Sequence, residues 1–200
     1  MIELTREAMG GYHFDDKLAK WPCGSVWESE GQRLYDLVRK NRPKVIVEVG
    51  TNYGCSTSWL AMAVRDNEFG RVYSLDNHQQ LGVDTGSLIP DELRPFVALI
   101  CCDALKSTAF ETVDIGGKRW KWPTIDLLNE DGAHVTGFTK TVLQNFPARL
   151  VTVHDCLHRT AGIVLAEAES VLGKADELFS GPPPADCGIG IWVCDKSLSL

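Results

Sequence analysis

The sequence predicts a seven-stranded, mostly parallel α/β sheet with helices on both faces and one antiparallel edge strand. Apolar runs of strand length alternate along the chain with segments of helical periodicity, the pattern that packs helices against an open sheet. A carboxylate also stands at or near the end of five successive strand candidates, where an open α/β sheet gathers its ligand crevice. The size is adequate. A chain of 200 residues with 44% hydrophobic and 24% charged content describes one globular domain that buries roughly 70% of its unfolded surface.

Residues 1–28 read as an irregular N-terminal arm or lid: Trp21, Pro22, Gly24 and Trp27 suit an ordered segment, whereas Gly10, Gly11 and mixed charges suit a loose leader. The regular domain runs over residues 29–200. Ser29 with Gln32 has the form of a capping box, and Leu34, Leu37 and Val38 recur at helical spacing until Pro43. Residues 44–49 (KVIVEV) form a short β-branched run, as expected of a strand covered on both faces. A glycine turn and a second helix over residues 55–66 follow. Residues 71–75 and 96–101 read as the second and third strands, with a short helix near residues 90–93 between them and another helix after Asp103. Residues 124–128 form the fourth strand, Phe138, Val142 and Phe146 a helical stripe, and residues 150–153 the fifth strand. Val164, Leu165, Ala168, Val171 and Leu172 stripe a last helix, after which residues 176–179 and 189–194 pair as a closing hairpin.

Composition narrows the partners. The 27 acidic residues against 20 basic ones give a net charge of -7, whose field repels polyanions and acidic membranes, so neither nucleic acid nor a membrane is expected. The seven cysteines contain no C-x-x-C pair and no zinc spacing, which indicates reduced thiols rather than a disulfide framework or a structural metal. The N-terminus has no basic region followed by an apolar run, and no apolar stretch approaches the roughly 20 residues of a membrane span. The cytoplasm is the expected compartment, and a homo-oligomer is compatible with all of this. The basic, tryptophan-bearing stretch at residues 118–122 precedes the fourth strand and reads as a surface or subunit contact.

The strand ends carry the chemistry. The first strand ends in Glu48-Val49-Gly50-Thr51-Asn52-Tyr53-Gly54, the second in Asp76, the third in Asp103, the fourth in Glu130 and Asp131, and the fifth in His154 and Asp155. Each carboxylate costs desolvation energy unless it is paired, so stability alone does not explain five in succession. Gly50 and Gly54 let the backbone of a strand-to-helix turn approach a ligand closely. Their spacing is G-x-x-x-G rather than the G-x-G-x-x-G that receives a pyrophosphate, and Glu48 beside it would repel one. A ligand with a cationic end fits better. Asp76 is placed to accept two hydrogen bonds from a ribose diol, and Asp103 to accept from an exocyclic amine. Asp131 and Asp155 suit loop hydrogen bonds, the amine of a bound ligand or a metal, His134 either a cap or a base, and His154 reads as structural. Two rivals share the sheet: an NAD-dependent oxidoreductase and a non-catalytic nucleoside-binding module.

Taken together, E-V-G-T-N-Y-G-C-S-T (Glu48 to Thr57), Asp76 after V-Y-S-L, C-D-A-L (Cys102 to Leu105), D-G-A-H (Asp131 to His134) and V-T-V-H-D (Val151 to Asp155) resemble a class I S-adenosylmethionine-dependent methyltransferase. The last two motifs are similar to a subgroup that methylates hydroxyls of sugars and other small molecules. The resemblance implies a Rossmann-like fold over roughly residues 29–195. It implies that Glu48, Gly50, Thr51, Gly54 and Ser56 surround the methionine portion of the cofactor, that Asp76 holds the ribose, and that Asp103 and Ala104 meet the adenine. It further implies His134 as general base beside Asp131, with Mg2+ on Asp131 and Asp155. Such a cation would lower the pKa of a hydroxyl acceptor while a neutral imidazole takes the proton. Cys156 departs from relatives that carry a second aspartate there, which leaves one hard ligand fewer.

Overall fold

The computed structural model describes residues 26–77, 84–107, 112–115, 118–121, 124–133, 135–157, 162–180 and 187–198. The N-terminal arm therefore lies outside the described residues except at its end, where Val26 is buried in the core.

The first helix, α1 (Glu28–Asn41), starts one residue before the predicted cap. Its cap is Trp27, whose backbone N–H donates to the Glu30 carboxylate at 2.9 Å. Glu30 rather than Gln32 closes the first turn, because Gln32 lies on the outer face and donates to Asp36. Arg42, at φ 46°, ends the helix in the left-handed region just before Pro43. Strand β1 (Val45–Val49) and helix α2 (Cys55–Asn67) follow, then β2 (Arg71–Asp76) and β3 (Val97–Cys101), preceded by a 3-10 turn at Arg94–Phe96.

The helix expected after Asp103 is replaced, among the described residues, by a turn at residues 104–106 and an antiparallel pair, β4 (Thr112–Ile115) with β5 (Lys118–Lys121). The reason is local. Thr112, Val113 and Ile115 are β-branched, and Gly116-Gly117 is a hairpin turn sequence. Strand β6 (Ile125–Glu130), helix α3 (Phe138–Asn145), strand β7 (Ala148–Val153), helix α4 (Gly162–Leu172) and strands β8 (Glu177–Phe179) and β9 (Ile189–Val193) complete the chain.

Seven strands form one sheet in the order β3-β2-β1-β6-β7-β9-β8. The first five run parallel, β9 is antiparallel to β7, and β8 at the edge is antiparallel to β9. Period-two alternation sends side chains to two cores. Ile46, Val72, Leu127 and Leu150 pack under α1 and α2, with Trp59 and Leu60. Val47, Tyr73, Leu128 and Val151 pack on the other face with Val142 of α3 and Ala168 of α4. Strand order reverses between β1 and β6, so the loops leaving them diverge and open a crevice at their carboxyl ends.

The two helices over the first face meet at Gly31. A Cβ built there would lie 2.1 Å from Nε1 of Trp59 and 2.3 Å from its Cδ1, so α1 sits on the indole with no room for a methyl group. Gly31→Ala is expected to cost about 1–3 kcal/mol through overpacking, despite the better helix propensity of alanine. An unchanged midpoint in urea unfolding would contradict this packing.

Candidate active site

The crevice is built by backbone contacts before any side chain enters it. Gly50 has φ +96°, and a Cβ there would lie 2.0 Å from the carbonyl oxygen of Asp131, so the exits of β1 and β6 touch main chain to main chain. The Asp131 N–H donates to Val49 O at 2.9 Å, and the Gly50 N–H to Leu75 O at 2.9 Å. Asp76 Oδ2 then clasps the turn by accepting the backbone N–H groups of Thr51 and Asn52, both at 3.0 Å.

The resulting cavity has a volume of about 320 Å³. Val49, Gly50, Asn52, Leu75, Asp76, Asn77, Thr85, Cys102, Asp103, Ala104, Asp131, Gly132, Ala133 and Phe138 line it. Among the described residues it presents three aspartates and no lysine or arginine. A larger groove, about 740 Å³, lies at the opposite sheet end around Lys44, Phe69 and Arg71; the strands' carboxyl ends, where α/β sheets bind ligands, point away from it.

Glu48, Thr51, Gly54 and Ser56 lie beneath this lining rather than in it. Glu48 is fully buried, and its carboxylate accepts from Ser74 Oγ at 2.6 Å, from Asn129 Nδ2 at 3.2 Å and from the Thr57 hydroxyl. Thr51 Oγ1 pairs with Ser74 Oγ at 2.7 Å, and Thr152 Oγ1 donates to Asn129 Oδ1 at 2.8 Å. Burial pushes the Glu48 carboxyl up to about 7, against the pull of the hydroxyls of Ser74, Thr57 and Ser56. Gly54 caps α2 with φ +92°, and a Cβ there would lie 2.5 Å from Ile89.

Asp103 lines the crevice at its rim, where its pairing with the Lys106 ammonium at 3.0 Å and the N–H of Leu105 hold it below the usual carboxylate range. Asp131 lines the crevice from the other side and is joined to a second cluster. His154 Nδ1 lies 3.0 Å from Asp131 Oδ1 and 3.3 Å from Asp155 Oδ2, and Nε2 lies 3.1 Å from Glu30 Oε2. Burial opposes protonation of this ring, but Asp131, Asp155 and Glu30 outweigh it and hold the imidazole pKa well above its ordinary value. His154, which reads as structural in the sequence, is joined here by Glu30, a grouping that spacing along the chain does not encode because each residue comes from a different element. His134 lies outside the described residues. Cys156 points into the second core, where its Sγ lies 3.2 Å from Val153 O and burial pushes the thiol up to about 12.

The crevice lies at the reversal point of a seven-stranded sheet, with Asp76 closing β2 and Glu130 closing β6. Residues 47–164 match the family model described as a methyltransferase domain. The chain belongs to that methyltransferase family. Among curated proteins none matches it. Of solved structures, it is similar to the O-methyltransferase TomG from Streptomyces achromogenes, involved in tomaymycin synthesis and solved with SAM: 21% identity, 94% of this chain and 89% of that one, TM-score 0.62. It is also similar to the O-methyltransferase from Bacillus cereus in complex with SAH, at 17% identity over 96% of this chain and 93% of that one, TM-score 0.63. CalS11, a TDP-rhamnose 3'-O-methyltransferase of calicheamicin biosynthesis, aligns at 15% identity over 82% and 79% of the two chains, TM-score 0.57. At these identities the likeness shows the fold. No helix among the described residues is long and apolar enough to cross a membrane.

The raised Glu48 carboxyl makes stability depend on pH in a definite direction. Below about 4.5 the group is protonated in both folded and unfolded chains; as pH rises to about 7 the unfolded chain ionises while the buried carboxyl resists. Stability is therefore lost across that window, by about 3 kcal/mol for this group. Glu48→Gln should flatten this part of the profile of Tm against pH. An unaltered slope would contradict the raised carboxyl.

Proposed function

We propose that this methyltransferase draws its methyl group from S-adenosylmethionine and delivers it to a hydroxyl of a small molecule. One observation carries the reading: the crevice at the carboxyl ends of β1, β2, β3 and β6 presents Asp76, Asp103 and Asp131 and, among the described residues, no lysine or arginine. Such a wall suits a nucleoside bearing a cationic sulfonium and opposes a pyrophosphate. Membership of a methyltransferase family sets the nicotinamide reading aside.

When bound, the cofactor supplies a methyl group activated by positive sulfur. The chain's own residues do the rest. Asp76, at the end of β2, receives the ribose hydroxyls, while Asp103 and Ala104 meet the adenine. Gly50 allows the methionine portion to approach the turn, which Glu48, Thr51, Gly54 and Ser56 shape from below. Asp131 faces the sulfonium end. His134, three residues further on, takes the acceptor proton as the hydroxyl oxygen bonds to the methyl carbon and the carbon–sulfur bond breaks. Alignment of oxygen, carbon and sulfur supplies most of the acceleration. A small acceptor accords with the O-methyltransferases that share the fold.

Magnesium at Asp131 and Asp155 does not fit the donors present. Mg2+ demands near-octahedral oxygen ligation, whereas a histidine nitrogen lies 3.0 and 3.3 Å from these two carboxylates and Cys156 faces the core. No step is assigned to it.

Calorimetry should show binding of S-adenosylhomocysteine and none of NAD. Asp76→Ala should weaken the former about tenfold to a hundredfold, the loss expected for charge-assisted hydrogen bonds. Equal binding of NAD would overturn the reading. His134→Ala should leave S-adenosylhomocysteine affinity within about threefold while lowering turnover on an identified hydroxyl acceptor about 10²–10⁴-fold. Unchanged turnover would remove this base, and robust binding with no transfer across a broad acceptor panel would favour a non-catalytic module.

A further inference from the structure

We propose that His154, Asp155 and Cys187 form a binding site for a transition-metal dication of the zinc class, beside the cofactor crevice but outside its lining. The imidazole is oriented for ligation by Glu30. Its Nε2 lies 3.1 Å from Glu30 Oε2, and Glu30 is itself fixed, accepting the N–H groups of Trp27 at 2.9 Å and Gly188 at 2.7 Å with no exposed surface. A carboxylate on one ring nitrogen is the usual support of a metal-binding histidine, and an ion on the other would displace the proton that the surrounding carboxylates favour there.

That other nitrogen, Nδ1, belongs to a side chain only 3% exposed and faces two carboxylates, 3.0 Å from Asp131 Oδ1 and 3.3 Å from Asp155 Oδ2. Donor atoms sharing a tetrahedral ion with bonds of about 2.0 Å stand about 3.3 Å apart. The 3.3 Å between Nδ1 and Asp155 Oδ2 is thus the spacing of neighbouring ligands. One ligand atom from each of His154, Asp155 and Cys187 lies within 4.8 Å of the others.

Backbone pairing holds the two strand ends together. Leu157 N–H donates to Cys187 O at 2.7 Å, and Cys156 N–H to Gly188 O at 3.2 Å. Asp155 stands in the left-handed region at φ 59°, a conformation that turns the chain at the end of β7. Nitrogen, oxygen and sulfur donors in one cluster select zinc-like ions over magnesium or calcium. The field agrees, since Glu30, Asp131 and Asp155 bring three formal negative charges against one imidazole. A cation here would tie the end of β7 to the start of β9 and, through Glu30, to α1, bracing Asp131 at the crevice wall.

The full chain, stripped with a chelator, would be titrated separately with Zn2+, Co2+ and Mg2+. Expected are one Zn2+ bound per chain with a rise in Tm, a Co2+ spectrum showing tetrahedral ligation and a thiolate charge-transfer band, and no response to Mg2+. Cys187→Ser should abolish that band and weaken Zn2+ at least tenfold; Asp155→Asn should also weaken it. Absence of stoichiometric Zn2+ binding by the natural chain would overturn the proposal, as would binding unchanged in both variants. The Co2+ spectrum of the natural chain requires no variant to fold. None of these readouts uses the cofactor, so failure to bind S-adenosylhomocysteine would sink the proposed function and leave this site standing.

Discussion

The Glu48 carboxylate organises this molecule from underneath. An uncompensated buried carboxylate costs several kcal/mol, so its donors must all arrive: Thr57 from α2, Ser74 from β2 and Asn129 from β6. Asn129 is in turn held by Thr152 of β7. Four adjacent strands and the helix above them are thereby fixed in register by one polar row, set across a sheet face that is otherwise apolar. A slip of β2 or β6 by one residue would replace Ser74 or Asn129 with a residue facing the other core. The same row sets the level at which the strands end, and so where the crevice floor lies.

From that floor upward the site is assembled by close backbone approach. Gly50 brings the exits of β1 and β6 into contact, and Asp76 spends one oxygen on the amides of the turn. The acid is therefore both a wall of the crevice and a brace of the loop beside it. The acidic groups around the crevice accordingly fall into two sets: aspartates that line it, and buried carboxyls, Glu30 and Glu48, that hold its supports. Only the first group is placed to meet a ligand with positive charge.

Much of the sheet was readable because its strands are short β-branched runs and its helices keep an apolar stripe. The acidic strand ends were readable too, since each follows directly on such a run. What failed was orientation. Residue 48 shares the parity of Ile46, which faces α2, so alternation alone places Glu48 under the helix instead of in the crevice. The segment after Asp103 misled because propensity for a strand pair outweighed the expected alternation of strand and helix. The grouping of Glu30, His154, Asp155 and Cys187 was hidden for a different reason: it depends on α1 and β9 both lying against the end of β7, which spacing along the chain does not encode. Cysteine spacing in particular signals a metal only where ligands are close in sequence.

A structure with S-adenosylhomocysteine bound is the most direct test of the crevice as the seat of methyl transfer. The ribose is expected against Asp76, the adenine beside Asp103 and Ala104, and the sulfur between Gly50 and Asp131 with open space beyond it for an acceptor. A nucleoside bound elsewhere, or one whose sulfur is walled off from solvent and from the 131–134 loop, would contradict the assignment.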